Sequence, residues 1–311
     1  MGRLLIGEWK KLKSQKIILM VALAILTLNI GCVIYMKSLD GESVSDNWKE
    51  QLAGRNVILQ ENLEKYPKGS LMSTSAQKEM LINEYRLSEN VKPMTGDNIW
   101  SFVYFSKIIL SFAGLLVLTI ASRLVSSEHQ WKTIQTLMVK PIRKSTFITS
   151  KILTLFTFTF FTVSLQLLVS LLLGSIFFGI GGEHTFLSVQ QGSVGEESFP
   201  LVIIRHFFLS AVSLFVVAMI GLTLSTIFRN TAIAMAVSLF LYFTSENVTR
   251  MIAPFFEEIK YTLFANTDLN MYFNGSVFLN EMTFPFSVIV LSFYLLLFIT
   301  ISIGSFVKRE V

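Results

Sequence analysis

The sequence predicts an all-α integral membrane protein with six transmembrane helices. Hydrophobic residues make up 52% of the 311 positions and charged residues 15%, with a mean hydropathy of +0.59. A water-soluble domain with this composition would expose large apolar patches. The chain has 28 Phe and only 6 Pro, which favours long helices over a barrel of short alternating strands. Uninterrupted apolar runs place the predicted spans at residues 16–36, 99–125, 150–180, 206–227, 231–247 and 284–306.

Residues 1–15 predict an N-terminal helix that lies in the membrane interface. Leu5, Trp9 and Leu12 fall on one helical stripe, and basic side chains lie opposite. Such a helix places its apolar stripe at the acyl boundary and its lysines near anionic lipid headgroups. The alternative is a basic flank that only orients the first span. That span has a longer apolar core than a secretory signal and no cleavage site after it, so we expect it to be retained.

Residues 37–98 predict a small extracellular helical hairpin. Trp48, Leu52 and Leu59 share a helical face, and Pro67 and Gly69 interrupt the pattern before a second helix. Because the segment is too short to bury a full core alone, we expect it to pack on the membrane domain or on a second copy.

Residues 126–149, between the second and third spans, predict a loop that carries a short amphipathic helix. Ser127 followed by Gln130 fits a capping box, and Trp131 opens an apolar stripe at helical spacing. Pro141 ends the helix. An ordinary basic loop without a partner remains the alternative.

The distribution of charge predicts the orientation. An even number of spans puts both termini on one side, and only Glu8, Glu128 and Glu310 are acidic there. Basic residues near span ends are retained in the cytoplasm, so we expect a multi-pass cell-membrane protein with a cytoplasmic N-terminal helix, loop and 307–311 tail. The basic residues on that side are Arg3, Lys10, Lys11, Lys13, Lys16, Arg123, Lys132, Lys140, Arg143, Lys144, Lys151, Arg229, Lys308 and Arg309.

Two further segments fall on the outer side. Residues 181–205 predict an extracellular loop. Residues 248–283 are rich in aromatic side chains but are interrupted by Pro254 and Gly275, which suits an extracellular or re-entrant connector of short helices.

Four polar residues near or within the spans are candidates for a translocation path: Lys107, Asn29, Gln166 and Glu246. An ionisable group at membrane depth is costly unless it faces protein or water. Each has a simpler explanation, however. Glu246 suits an interface anchor, Lys107 can snorkel to the headgroups, and Asn29 and Gln166 can hydrogen-bond between helices.

No catalytic or metal site is predicted. The single cysteine, Cys32, excludes an intrachain disulfide, and the three histidines lack the spacing of metal ligands. The sequence contains no phosphate-binding GxxxxGK[ST] loop and no HExxH motif. We therefore expect that this chain is not an enzyme and binds no cofactor itself.

The loop between the second and third spans resembles that of the ABC-2 type exporter permeases, as does the overall arrangement. In that family an acidic residue precedes a Gly-Thr pair, two apolar residues, a Pro followed by an Arg, and a Lys at the third span. Lys132 stands where the family usually has the Gly. The residues that match this order are Glu128, Thr133, Leu137, Met138, Pro141, Ile142, Arg143 and Lys151.

The resemblance implies a permease driven by a separate ATPase subunit, which binds ATP and Mg²⁺. A second permease chain, identical or homologous, would complete the path, with membrane lipid but no nucleic acid as a further partner. The family moves hydrophobic or amphiphilic cargo such as antimicrobial peptides and antibiotics in bacteria; sodium, lipid or polysaccharide are the other cargoes. The residues that would dock the ATPase are Glu128, Trp131, Ile134, Leu137 and Met138, with Lys140, Arg143 and Lys144 as a charged rim.

A different class of function stays open from sequence. The chain could be a membrane sensor or anchor whose outer hairpin binds a ligand and whose inner loop recruits a regulator.

Overall fold

The structure is a computed structural model that describes residues 2–39, 47–65, 71–93, 98–131, 143–181, 185–190, 193–253, 255–274, 277, 279 and 281–308. It confirms an all-α membrane protein, because six helices are long and apolar enough to span a bilayer. The spans are Ile17–Ser38, Ile99–Arg123, Lys144–Phe178, Phe199–Phe228, Thr231–Ile252 and Phe284–Val307.

The first part of the chain contains two helices at the N-terminus, a helical hairpin and a broken second span. These elements are α1 (Gly2–Ser14), α2 (Ile17–Leu39), α3 (Trp48–Lys65), α4 (Leu71–Glu89), α5 (Ile99–Phe105), a 3₁₀ turn (Ser106–Ile108), α6 (Ile109–Arg123) and α7 (Ser126–Gln130).

The second part contains four spans, a β-hairpin and a connector of short helices. These elements are α8 (Lys144–Phe178), β1 (Thr185–Gln190), β2 (Ser193–Ser198), α9 (Phe199–Phe228), α10 (Thr231–Ile252), 3₁₀ turns at Glu257–Tyr261 and Phe264–Asn266, α11 (Met271–Asn274) and α12 (Phe284–Val307).

Helix α9 is the centre of the bundle. It packs against α6, α8, α10 and α12, and 72% of its most apolar window is buried, compared with 11% for α10. We call the end of the bundle that holds α1, α7 and the last turn of α12 the terminal end. The end that holds α3, α4 and the β-hairpin is the hairpin end.

Local signals explain where the spans begin. The Asn98 side chain accepts a hydrogen bond from Ser101 N, which caps α5, and Asn230 caps α10 in the same way. Both α9 and α12 have a proline in the first turn, where its missing N–H costs nothing.

The predicted hairpin is present in α3 and α4. Arg55 Nε lies 2.8 Å from Glu79 Oε1, and Asn83 Nδ2 donates to Asn56 Oδ1 at 2.9 Å. The hairpin packs on the rest of the same chain, since Lys78 Nζ donates to the carbonyl of residue 274 at 2.9 Å.

Several predicted boundaries are wrong. The 181–205 segment contains an antiparallel β-hairpin, in which Thr185 pairs with Ser198, and the fourth span starts at Phe199 instead of residue 206. Arg205 interrupts the apolar pattern, but its guanidinium pairs with Glu197 at 2.6 Å and lies 4.1 Å from the Phe273 ring. A paired charge is therefore accommodated within the helix.

Two other spans are longer than predicted. The third begins at Lys144 instead of residue 150, and the fifth continues to Ile252 instead of ending at 247. In both cases the additional turns carry charged residues, which hydropathy assigns to a loop. At the end of α10 the charge is accommodated because Arg250 pairs with Glu246 one turn earlier, at 2.7 Å.

Candidate functional site

Four charged side chains meet at the terminal end of the bundle. Lys151, on α8, places its Nζ 2.8 Å from Glu8 Oε2 on α1 and 2.9 Å from Glu128 Oε1 on α7. Lys11, also on α1, donates to the same oxygen of Glu128. The Lys151 side chain is completely buried and that of Glu128 is 4% exposed. We call Glu8, Lys11, Glu128 and Lys151 the ionic cluster.

The ionic cluster fixes three helices relative to one another. Removing an ion from water costs several kcal/mol, and this cost is offset only by close pairing and hydrogen bonding. The two ammonium groups and two carboxylates balance in charge. Because the side chains of Lys151 and Glu128 are almost fully buried, separating α7 from α8 would break a buried ion pair, which disfavours arrangements in which these helices move apart.

Helix α1 is docked onto α8 by an apolar and a polar contact. Trp9 Nε1 donates to Thr157 Oγ1 at 3.1 Å, and the indole ring lies edge-on to Phe161, with centroids 5.5 Å apart. Leu12 is 5% exposed. Leu5 lines an open apolar groove between α1 and α2. The predicted apolar stripe therefore faces the bundle on one side and remains accessible to lipid on the other.

Hydroxyl groups attach α7 to the junction between α9 and α10. Ser225 Oγ accepts from Ser126 N at 2.8 Å, and Ser126 Oγ lies 2.8 Å from Thr231 Oγ1. Thr231 also donates to Gln130 Oε1 at 2.8 Å. The terminal end thus joins α7 both to α8, through charges, and to α9 and α10, through hydroxyls.

The capping box expected at Ser127 is wrong. Ser127 Oγ donates to the carbonyl of Arg123 at 2.6 Å, and α7 has no side-chain cap. Helix α7 follows almost directly after α6, and Glu128 N is already bonded to Val125 O. Carbonyl groups of the preceding turns therefore accept hydrogen bonds from the N–H groups that a side-chain cap would otherwise satisfy.

His129 packs against the last turn of α12, with its ring centroid 6.2 Å from that of Phe306. Burial and then the nearby charge of Arg229 lower the pKa of His129 below its ordinary value, against the opposing effect of Glu128. The neutral imidazole is therefore favoured at this contact.

The predicted docking residues divide into four groups. Glu128 was expected on an exposed face, but it is buried in the ionic cluster, because two lysines from other helices converge on it. Trp131 is 50% exposed, with Lys11 Nζ 5.5 Å from its ring. Arg143 and Lys144 begin the next described segment. Ile134, Leu137, Met138 and Lys140 lie outside the described residues.

Two of the predicted path residues pair between helices. Asn29 Nδ2 donates to Gln166 Oε1 at 2.8 Å, and both side chains are fully buried. Gln166 Nε2 also donates to the carbonyl of Ser106 at 3.3 Å, at the 3₁₀ turn that interrupts the second span. The Gln166 side-chain amide thus donates a hydrogen bond to a backbone carbonyl at the point where the regular α-helical hydrogen bonding of the second span is interrupted. The helix-to-helix interpretation of this pair is confirmed.

The other two path candidates lie nearer the hairpin end. Lys107 Nζ is 3.5 Å from the centroid of the Tyr104 ring, so a cation–π interaction with that ring stabilises the charge of Lys107. Glu246 pairs with Arg250 and lines a polar cleft.

The cleft has a volume of about 180 Å³ and lies between α6, α8, α9, α10 and residues 264–270. Burial raises the pKa of the Asp268 carboxyl above its ordinary value, partly opposed by the hydrogen bond from Asn270 N. The sequence did not single out Asp268, because it lies in an irregular connector that only the fold brings over the spans. The polar lining includes Ser111, Ser210, Ser213, Thr267, Asp268 and Asn270.

A metal centre has no support from the described part of the chain. There, no three His, Cys, Asp or Glu side chains come close enough together to hold an ion.

Comparison with known proteins identifies relatives over most of the chain. Residues 70–311 match the family described as "Protein of unknown function (DUF2705)". The chain is 30% identical over 315 residues to "Uncharacterized protein YhcI" of Bacillus subtilis (strain 168), covering 100% of this chain and 99% of the relative. It is 28% identical over 221 residues to "Uncharacterized membrane protein YdbK" of the same organism, covering 70% and 85%.

Proposed function

This chain belongs to the DUF2705 family, and we propose that it is the permease subunit of an ATP-driven exporter of the ABC-2 type. A separate ATPase subunit binds ATP and Mg²⁺ and moves the permease through the segment between α7 and α8. A second permease chain completes the translocation path. The terminal end faces the cytoplasm of a bacterial cell, since the basic residues concentrate there.

The ionic cluster is the observation that carries this proposal. A permease that hydrolyses no nucleotide must receive force at a surface and pass it to the spans. Glu128 lies near the start of residues 126–149, the loop in which the family resemblance places the docking helix. Lys151 lies two turns inside the span that follows. The cluster thus ties both sides of the predicted docking segment together.

Buried ion pairs suit the transfer of force. Separating a buried pair typically costs about 3–5 kcal/mol, because each group is left in a poor solvent. Displacement of α7 therefore carries α8 and α1 with it. Helix α8 has 35 residues, which at 1.5 Å per residue gives a length of about 52 Å, enough to carry the motion to the hairpin end.

The hydroxyl contacts of α7 support a second route by which its displacement reaches the spans. Ser126 and Gln130 contact the start of α10 through Thr231, and Ser126 contacts the end of α9 through Ser225. The same displacement would then also reach α10, whose exposed apolar side chains suit contact with lipid or with a second permease chain.

We further propose a hydrophobic or amphiphilic cargo, such as a peptide or antibiotic. The central turns of the six spans carry no series of Asp, Glu and His residues of the kind that ion-coupled carriers use. An ATPase must then supply the energy, and apolar and hydroxyl-bearing side chains are the groups available to contact cargo.

Capture of the ATPase tests the proposal. The affinity-tagged chain, solubilised gently from its own host, should bring down a phosphate-loop ATPase that mass spectrometry identifies. Trp131→Asp and Ile134→Asp should each reduce the recovered ATPase at least tenfold, because a carboxylate disrupts an apolar docking face. Phe255→Asp is the matched control, since Phe255 is 78% exposed on the connector.

Normal recovery of the ATPase with both loop variants would count against docking at this segment. Capture of a kinase or transcription regulator, with no ATPase, would favour the sensor class.

A further inference from the structure

We propose that the polar cleft at the hairpin end binds a compact organic cation, an ammonium group on a small apolar body. The cleft lies between α6, α9, α10 and residues 264–270, with α8 behind it. This inference concerns a binding site within one chain, and it does not depend on ATP-driven export.

The size of the cleft limits the ligand. Its volume is about 180 Å³. Cavities of about 150 Å³ in other proteins hold one benzene molecule. A ligand with a benzene-sized body and one short substituent, about eight to ten non-hydrogen atoms in all, therefore fits.

The charges around the cleft favour a cation. Asp268 accepts a hydrogen bond from Asn270 N at 3.1 Å, and no ion pair joins its carboxylate to a basic side chain within the described residues. The charge of Arg250 also reaches Asp268, but two basic side chains near the cleft have closer acidic partners of their own. Arg250 pairs with Glu246 at 2.7 Å, and Arg205 pairs with a carboxylate on β2 at 2.6 Å. A bound ammonium would give Asp268 a direct ion pair, which the more distant charge of Arg250 does not provide.

The cleft also offers hydrogen-bond acceptors and an aromatic wall. Ser213 Oγ is buried, and within the described residues it has no hydrogen-bond partner. Because an unmade buried hydrogen bond is costly, a ligand N–H that reaches this oxygen is favoured. Phe264 and Leu214 add apolar surface to the same lining.

Close packing holds the Tyr242 ring in the cleft. Its hydroxyl donates to the carbonyl of Ser111 at 3.1 Å. A Cβ at Gly114 would lie 2.3 Å from that hydroxyl oxygen, so glycine is required where the ring crosses α6. An aromatic face fixed in this way can contact either a cation or an apolar ring.

Calorimetric titration with three water-soluble probes of similar size tests the proposal. The purified full chain in nanodiscs of phosphatidylcholine is titrated at pH 7 with benzylammonium, benzyl alcohol and benzoate. We expect benzylammonium to bind at least tenfold more tightly than either of the others. Equal affinity for benzyl alcohol, or tighter binding of benzoate, would overturn the proposal.

Two variants locate the site. Asp268→Asn keeps the shape but removes the charge, so it should weaken benzylammonium binding about tenfold and leave benzyl alcohol unaffected. Ser213→Leu fills the cleft and should remove binding of both. Glu258→Gln, an exposed carboxylate on the preceding 3₁₀ turn, is the matched control and should change nothing.

Unchanged benzylammonium affinity in Asp268→Asn would place the cation elsewhere and overturn the proposal. If Asp268→Asn is not recovered folded, the preference of the unsubstituted chain for the cation and its loss in Ser213→Leu decide the question.

Discussion

Lys151 is the residue on which the terminal end depends most. Its ammonium contacts one carboxylate from α1 and another from α7, and it lies 5.0 Å from the ring of Phe147 on its own helix. In the sequence it is a lysine at the start of an apolar run, where it matches the last position of the ABC-2 loop pattern. Its carboxylate partners come from distant parts of the chain, and no local pattern indicates them.

Substitution of Lys151 by Met should destabilise the protein by about 3–5 kcal/mol, because Glu8 and Glu128 would each lose their ion pair with a buried ammonium. Thermal unfolding in detergent would measure the loss. Lys308→Met, at an exposed position on the same end, should change stability by less than about 0.5 kcal/mol.

The double variant Lys151→Met with Glu128→Gln separates charge from packing. It should recover part of the lost stability, since one of the two carboxylates that lost the Lys151 ammonium then carries no charge. A Lys151→Met protein as stable as the unsubstituted chain would show that the ionic cluster contributes nothing.

At the scale of single elements, small residues set the contact between α6 and α9. A Cβ placed on Gly221 would lie 3.0 Å from Ser122 Oγ and 3.2 Å from Ala121 Cβ. Close approach of backbones at small residues is a common way for membrane helices to associate. The hydroxyl of Ser122 adds a 2.9 Å contact with Ser238 on α10.

Gly221→Val should cost about 1–3 kcal/mol of stability, since its additional methyl groups must displace α6. The matched control is Gly54→Val on α3, where a Cβ meets nothing within 4 Å. That change should stay within about 0.5 kcal/mol. Equal effects of the two substitutions, measured by thermal unfolding, would contradict a packing role for Gly221.

The spans were largely predictable because hydropathy reports directly on burial in lipid. The ends of the spans were harder to predict, as the early start of α9 illustrates. The charge of Arg205 interrupts the apolar run in the sequence, but in the fold Glu197 neutralises the Arg205 guanidinium. The ionic cluster and Asp268 were beyond prediction for a related reason. Each depends on segments that are distant in sequence and that meet only after the helices pack.

At the scale of the whole molecule, charged and polar structure divides between two ends. The ionic cluster and α7 occupy one end, whereas the α3–α4 hairpin, the β-hairpin and the cleft occupy the other. In the proposed orientation, a force received inside the cell and a ligand bound from outside act on opposite ends of the same helices.

Cysteine labelling tests that orientation, and the single native cysteine makes it simple. In a Cys32→Ser background, Ser88→Cys on α4 should react with a membrane-impermeant maleimide in intact protoplasts. Ser14→Cys on α1 should react only after permeabilisation, because we propose that the terminal end is cytoplasmic. Reaction of Ser14→Cys in intact protoplasts would invert the arrangement.

The docking of α1 on α8 also has a consequence for how the chain is made. Trp9 and its partner Thr157 are separated by 148 residues. At a translation rate of about 5–20 residues per second, Trp9 is synthesised about 7–30 s before Thr157. The earliest helix of the nascent chain must therefore wait at the membrane surface, with its charges solvated, and it joins the bundle only after the third span has been inserted.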